Sequence, residues 1–215
     1  MIIKNECPHS GLIAGIILAD DVVLTAAKPA QMEELEKLAE IRNRQEFPSG
    51  KLKQSVRSML KDGGFKPTGR NKPASEYLAQ SAREERFPFI NNLVDINNYL
   101  SLFSGLPMTI LDRDITGENL NLRLGREGES YIFNPSGQEI DLSGLICICN
   151  DDGPLGNPVK DSMKAKVTEN TKNIIAVIYA PSDYFDCMRI EELCRMFASK
   201  LIEYAQAKST AVMVV

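Results

Sequence analysis

Histidine is nearly missing from this chain: His9 is the only one in 215 residues. A nucleophile triad or a multi-histidine metal site cannot be assembled from one imidazole. Flanked by Pro8 and Ser10, His9 reads as a solvated loop residue. Five cysteines, an odd number without C-x-x-C spacing, supply neither a disulfide framework nor a zinc site, and they fit a reducing compartment. Cys187 and Cys194 read as small core residues. No apolar run approaches the roughly eighteen residues of a membrane span. The start "MIIKNECPHS" lacks the apolar centre and cleavage site of a signal peptide. The expectation is a cytoplasmic chain with no membrane partner. Phosphate-loop and dinucleotide glycine motifs are missing, as is EF-hand spacing, so neither a cofactor nor a metal is expected.

The net charge is −4 with a pI near 5.2, which argues against indiscriminate nucleic-acid coating. The charge is uneven, however. Lys51, Lys53, Arg57, Lys61, Lys66, Arg70 and Lys72 face a single acid, Asp62, between Ser49 and Lys72. A phosphate backbone would be met here, with Lys53, Arg57, Lys61, Lys66, Arg70 and Lys72 as contacts; an ordinary solvated helix face is the alternative. Phe65 alone does not make a base-stacking platform.

Periodicity places one or two strands in "GLIAGIILADDVVLTA" around an Asp20-Asp21 turn. A helix follows from Pro29 with Met32, Leu35, Leu38 and Ala39 inward, then a second, capped by Ser49, with Leu52, Val56, Met59 and Leu60 inward. A third spans Pro73 to Arg86, with Tyr77 and Leu78 as core. In "PFINNLVDINNYLSLFSG", Leu93, Ile96, Leu100 and Phe103 form an apolar stripe, Asn91 or Asn92 caps, and Gly105 stops the helix. Short strands "MTIL", "LNLRL", "SYIF", "GLICIC", "AKVT" and "NIIAVIYA" come next, then a helix over Asp183 to Ala207 and a closing strand "AVMVV". Helices early and strands late make the fold class α+β.

Asn97 and Asn98 lack a capping role, and asparagine is a poor helix-interior residue. "NDDGPLGNPVKDS", Asn150 to Ser162, gathers three aspartates and two glycines behind a buried strand. It could line a pocket, while Asp151 and Asp152 read more simply as turn residues. Arg123, Arg126, Glu127 and Glu129 read equally well as a hairpin rim with surface ion pairs.

The ordered positions Val94, Asp95, Asn98, Tyr99, Gly105, Pro107, Asp112, Gly117, Arg123, Gly128 and Glu129, followed by Val167, Thr171 and Asn173, carry a resemblance. Over Pro88 to Ala180 the chain is similar to the editing module of bacterial phenylalanyl-tRNA synthetase beta subunits, their third and fourth (B3/B4) domains. The Gly153 to Ser162 loop resembles one common in freestanding copies of that module. The resemblance implies two intimately packed subdomains with mixed or antiparallel sheet. Residues 1–87 would form a strand and helix region carrying the basic helix, 88–180 an editing-like core, and 181–215 a final helix and strand, all in one compact unit, 1–215. It also implies a pocket near Asn97, Asn98, Thr109, Asn157, Asp161 and Val177, in which the synthetase removes tyrosine from mischarged tRNA. Thr109 stands where that family has a histidine, and Val177 where it has a glutamate. A pocket built on hydrogen bonds loses discrimination when they vanish. Two functions follow as expectations: a tRNA-associated hydrolase acting on mischarged aminoacyl-tRNA in trans, or a non-catalytic module for tRNA or a small amino-acid-like ligand. A complete ligase is excluded by length and by missing motifs.

Overall fold

The computed structural model describes residues 1–7 and 11–215; His9 lies outside them. The fold is α+β. In chain order come β1 (Ile2–Asn5), β2 (Leu12–Asp20), α1 (Pro29–Asn43), α2 (Gly50–Lys61), α3 (Ala74–Arg83), α4 (Asn92–Ser104), β3 (Met108–Asp112), α5 (Arg113–Thr116) and β4 (Asn119–Leu124). They are followed by β5 (Ser130–Ile132), β6 (Glu139–Asp141), β7 (Ile146–Asn150), β8 (Gly153–Gly156), β9 (Ile174–Pro181), α6 (Cys187–Ala205) and β10 (Ser209–Val214). One four-stranded sheet runs β10-β2-β9-β3 and is antiparallel throughout. A second runs β1-β4-β7-β8, with only β1 and β4 parallel, and β5-β6 forms a separate hairpin.

Strands β9 and β3 of the first sheet are buried on both faces, which is why β9 reads as an uninterrupted apolar run: all eight of its residues are buried. Side chains of directly opposed residues share a face, and the register opposes Gly15 to Ile178 but Thr109 and Ile16 to Val177. Helix α6 lies over the Gly15 face. It comes so close that a Cβ on Gly15 would stand 2.5 Å from Cys194 Sγ. Thr109, Ile16 and Val177 therefore project to the opposite side, toward the second sheet.

The asparagines at the start of α4 have distinct tasks. Asn91 is the cap, its side chain accepting from the Val94 N–H at 2.9 Å. Asn92 is fully buried and ties three segments together: its amide donates to the carbonyls of Val23 and Tyr204 and accepts from the Thr25 N–H. Gly105 ends the helix at φ +79°, a conformation that glycine adopts without a Cβ penalty.

Several expectations are corrected. No second strand follows Asp21, because the N–H groups of Val22 and Val23 go to the carbonyls of Lys172 and Ala205 rather than to a ladder. "AKVT" is not a strand either. The Thr171 hydroxyl accepts from the Thr168 N–H in a turn and donates to Asp112 at 2.5 Å, so a side chain takes the bond a neighbouring strand would have made. The inward face of α3 is Ser75, Glu76, Ala79 and Ala82, with Tyr77 and Leu78 only half buried. Phe103 is exposed and stacks on Tyr99, and Cys187 is exposed at the start of α6. Three short strands, β1, β6 and β8, have no counterpart in the sequence reading.

Candidate functional site

Asp161 is the centre of a buried polar group between the two sheets. Thr109, on β3, donates its hydroxyl to Asp161 Oδ1 at 2.9 Å, and the Asn157 N–H donates to the same oxygen at 3.3 Å. The Asn157 side chain organises the loop beyond β8: its carbonyl accepts from the N–H groups of Val159 and Lys160, and its amide donates to the Tyr131 hydroxyl. Tyr131 in turn donates to the Lys160 carbonyl at 2.6 Å. The many turn-forming residues of "GPLGNPVKD" thus serve to bring one carboxylate back onto β3.

Burial pushes the Asp161 carboxyl from its ordinary 3.8 up to about 7, against the opposing pull of the Thr109 hydroxyl, the Asn157 N–H and the charge of Lys166. Protein atoms surround Asp161 on every side, yet it keeps some solvent-accessible surface. Tyr179, two residues beyond Val177 and on the same face of β9, is fully buried and lies near Asp161 and Thr109. Its hydroxyl lies close to the Thr109 hydroxyl, without a hydrogen bond of good geometry. A buried hydroxyl so poorly partnered is costly.

Of the six sequence-derived pocket residues, Thr109, Asn157 and Asp161 are joined by hydrogen bonds, and Val177 is the direct cross-strand partner of Thr109. Gly156 packs on this group; a Cβ there would lie 2.8 Å from Thr109 Cγ2 and 2.9 Å from Asp161 Oδ1. Asn97 and Asn98 are both buried on α4, which packs against β3, α6, α1 and α3. The Asn97 side-chain oxygen has no partner, and among the described residues no hydrogen bond links either amide to Thr109 or Asp161. Tyr131 and Tyr179 were not among the sequence-derived candidates. The signal for Tyr179 was its parity with Val177 in an otherwise aliphatic strand.

The basic segment divides into two parts. Arg57 makes a two-pronged pair with the buried Glu76, 2.7 Å on each side, and Lys53 stands 3.7 Å from the same carboxylate. Lys61, Lys66 and Arg70 are exposed and form no ion pair among the described residues. Lys72 lies over the Tyr77 ring at 5.9 Å. A depression of about 300 Å³ runs along α2 between Lys53, Arg57 and Lys61. Phe65 is buried and stacks with nothing in solvent. Among the described residues no group of three or more histidine, cysteine or acidic side chains is placed to hold a metal, and no helix is long and apolar enough to cross a membrane.

Residues 66–201 match the B3/4 domain, a span that takes in Thr109, Asn157, Asp161 and Tyr179. The chain belongs to the B3/4 domain family. Among curated proteins it is 33% identical over 99 residues to the beta subunit of phenylalanine–tRNA ligase from Latilactobacillus sakei, covering 43% of this chain and 12% of that subunit. The same subunit from Streptococcus pneumoniae is 25% identical over 105 residues, 48% of this chain and 13% of the subunit. This B3/4 protein therefore matches only about an eighth of the length of those relatives. A solved N-terminal fragment of the phenylalanyl-tRNA synthetase beta subunit from Pyrococcus horikoshii superimposes on 98% of the chain and 49% of the fragment, with a TM-score of 0.43 and 10% identity.

Proposed function

We propose that this B3/4 protein engages tRNA and hydrolyses a mischarged aminoacyl ester in trans, with Asp161 as general base. One observation carries the reading: a buried carboxyl poised near neutral pH stands beside the Tyr179 hydroxyl, which forms no hydrogen bond of good geometry. Ester hydrolysis requires an oriented water, a base able to take its proton, and a donor for the oxygen that gains charge. A base works best when it titrates near the working pH. Asp161 supplies the proton-accepting oxygen, and the Tyr179 hydroxyl beside Thr109 supplies the donor. Thr109 holds Asp161 in place. Lys61, Lys66 and Arg70 supply uncompensated positive charge for phosphates.

A second reading keeps the tRNA contact and drops the chemistry. It is favoured by Gly156, whose backbone occupies the space beside Thr109 and leaves little room for an amino-acid side chain. Deacylation assays over a panel of mischarged tRNAs decide between them. Hydrolysis of at least one ester, rising with pH through about 7 and lost in Asp161→Asn, supports the first; background rates throughout, with salt-sensitive tRNA binding, leave the second.

A further inference from the structure

The second sheet has a face that the Thr109 group does not use. Leu122 opposes Ile148, and Ile148 opposes Gly156, so these residues look toward Thr109. Asn121, one position away, opposes Lys4 on β1 and Cys149 on β7 and must look the other way. On that outer face a trough of about 540 Å³ opens between β1, β4 and the β7-β8 turn. Its volume falls within the range of small-molecule sites.

The lining is mostly polar and carries both signs. Arg123 and Glu129 hold each other in a two-pronged pair, 2.8 Å on each side, and are not available to a ligand. Lys4, Arg126, Glu6 and Asp151 also line the trough, and none of the four is in an ion pair among the described residues. The side-chain oxygen of Asn121 is buried away from the trough and has no hydrogen-bond partner.

We infer that this trough is a second ligand site, built for a small zwitterion of the α-amino-acid kind, with its ammonium toward Glu6 and Asp151 and its carboxylate toward Lys4 and Arg126. Two cations and two anions outside any ion pair among the described residues match a ligand with one ammonium and one carboxylate better than any ligand of single charge. A phosphate would meet the two acids, and a simple amine would leave the two bases unanswered. The site stands independently of the ester-hydrolysis reading, since it lies across the sheet from Asp161.

The test is isothermal titration of the full chain with each of the twenty L-amino acids, alongside ethylamine, propionate and inorganic phosphate. Lys4→Met and Asp151→Asn alter exposed side chains, and a thermal melt establishes that both variants fold. The expected result is saturable binding of at least one amino acid, about tenfold tighter than the amine or carboxylate alone, and weakened about tenfold in each variant. No amino-acid binding, binding of the amine or of phosphate as tight as that of any amino acid, or binding unchanged in both folded variants would overturn the assignment. Deacylation activity plays no part in this readout.

Discussion

Replacing Asp161 with asparagine should make the protein more stable at neutral and alkaline pH. Asparagine is nearly isosteric, and its side-chain oxygen can accept from both the Thr109 hydroxyl and the Asn157 N–H. What it removes is the cost of holding a negative charge where burial opposes it. Burial raises the carboxyl from 3.8 to about 7 in the folded state. Between those values the native chain binds the proton more tightly than the unfolded chain does, so the Asp161 contribution to stability falls as pH rises from about 4 and levels off above about 7. The separation corresponds to roughly 4 kcal/mol above both values, and relaxation of the surroundings around the buried charge reduces that to about 2 kcal/mol. Urea unfolding of wild type and Asp161→Asn on both sides of this window measures it, because other titrations cancel in the difference. The two proteins should be nearly equal on the acid side, with the variant ahead by about 2 kcal/mol on the alkaline side. A variant less stable at alkaline pH, or a difference that does not change with pH, would refute the reasoning. If Asp161 is also the base, the stabilised variant is the inactive one, which is the trade expected of a strained site.

Asn92→Ala should lower stability by about 3 kcal/mol, since it strands the buried Tyr204 carbonyl and removes the partner of the Thr25 N–H and the Val23 carbonyl; a thermal melt or urea titration measures the loss. Glu129→Gln tests a charge shifted the other way. The Arg123 hydrogen bonds hold Glu129 down at about 2, so its stabilisation is complete above 4.5 and disappears as pH falls toward 2. The variant should be about 2 kcal/mol less stable near neutrality, with the gap closing on acidification; a gap constant across that range would contradict the assignment. Changing Lys61, Lys66 and Arg70 together to glutamine should weaken tRNA binding and flatten its dependence on salt in a filter assay, whereas Arg57→Gln should mainly lower stability by leaving the buried Glu76 unpaired.

How much of this was legible in the sequence depended on the kind of force involved. Strands β3, β7 and β9, and helices α2 and α4 with their caps Ser49 and Asn91, follow from local periodicity and capping chemistry, which any short window contains. Strands β1, β6 and β8 do not, because each has only three or four residues and exists through its neighbours; β8 is two glycines, a proline and a leucine. Thr109, Asn157 and Asp161 were named from the resemblance, and their hydrogen bonds unite residues about fifty positions apart. Tyr179 was visible only through strand parity. The basic run read as seven cations against one acid because the window ended at Lys72; Glu76, four residues further on, neutralises Arg57. The trough around Asn121 depends on which face of the second sheet each residue takes, and that is fixed by a register between strands more than a hundred residues apart.

The most direct test is the rate of ester hydrolysis by wild type and Asp161→Asn on the same mischarged tRNA, followed as a function of pH. The proposal predicts that wild-type activity climbs to a plateau as pH passes about 7 and that the folded, more stable variant is inactive. Hydrolysis by the variant at the wild-type rate, or a wild-type rate no faster than the uncatalysed reaction on every tRNA tried, would contradict it.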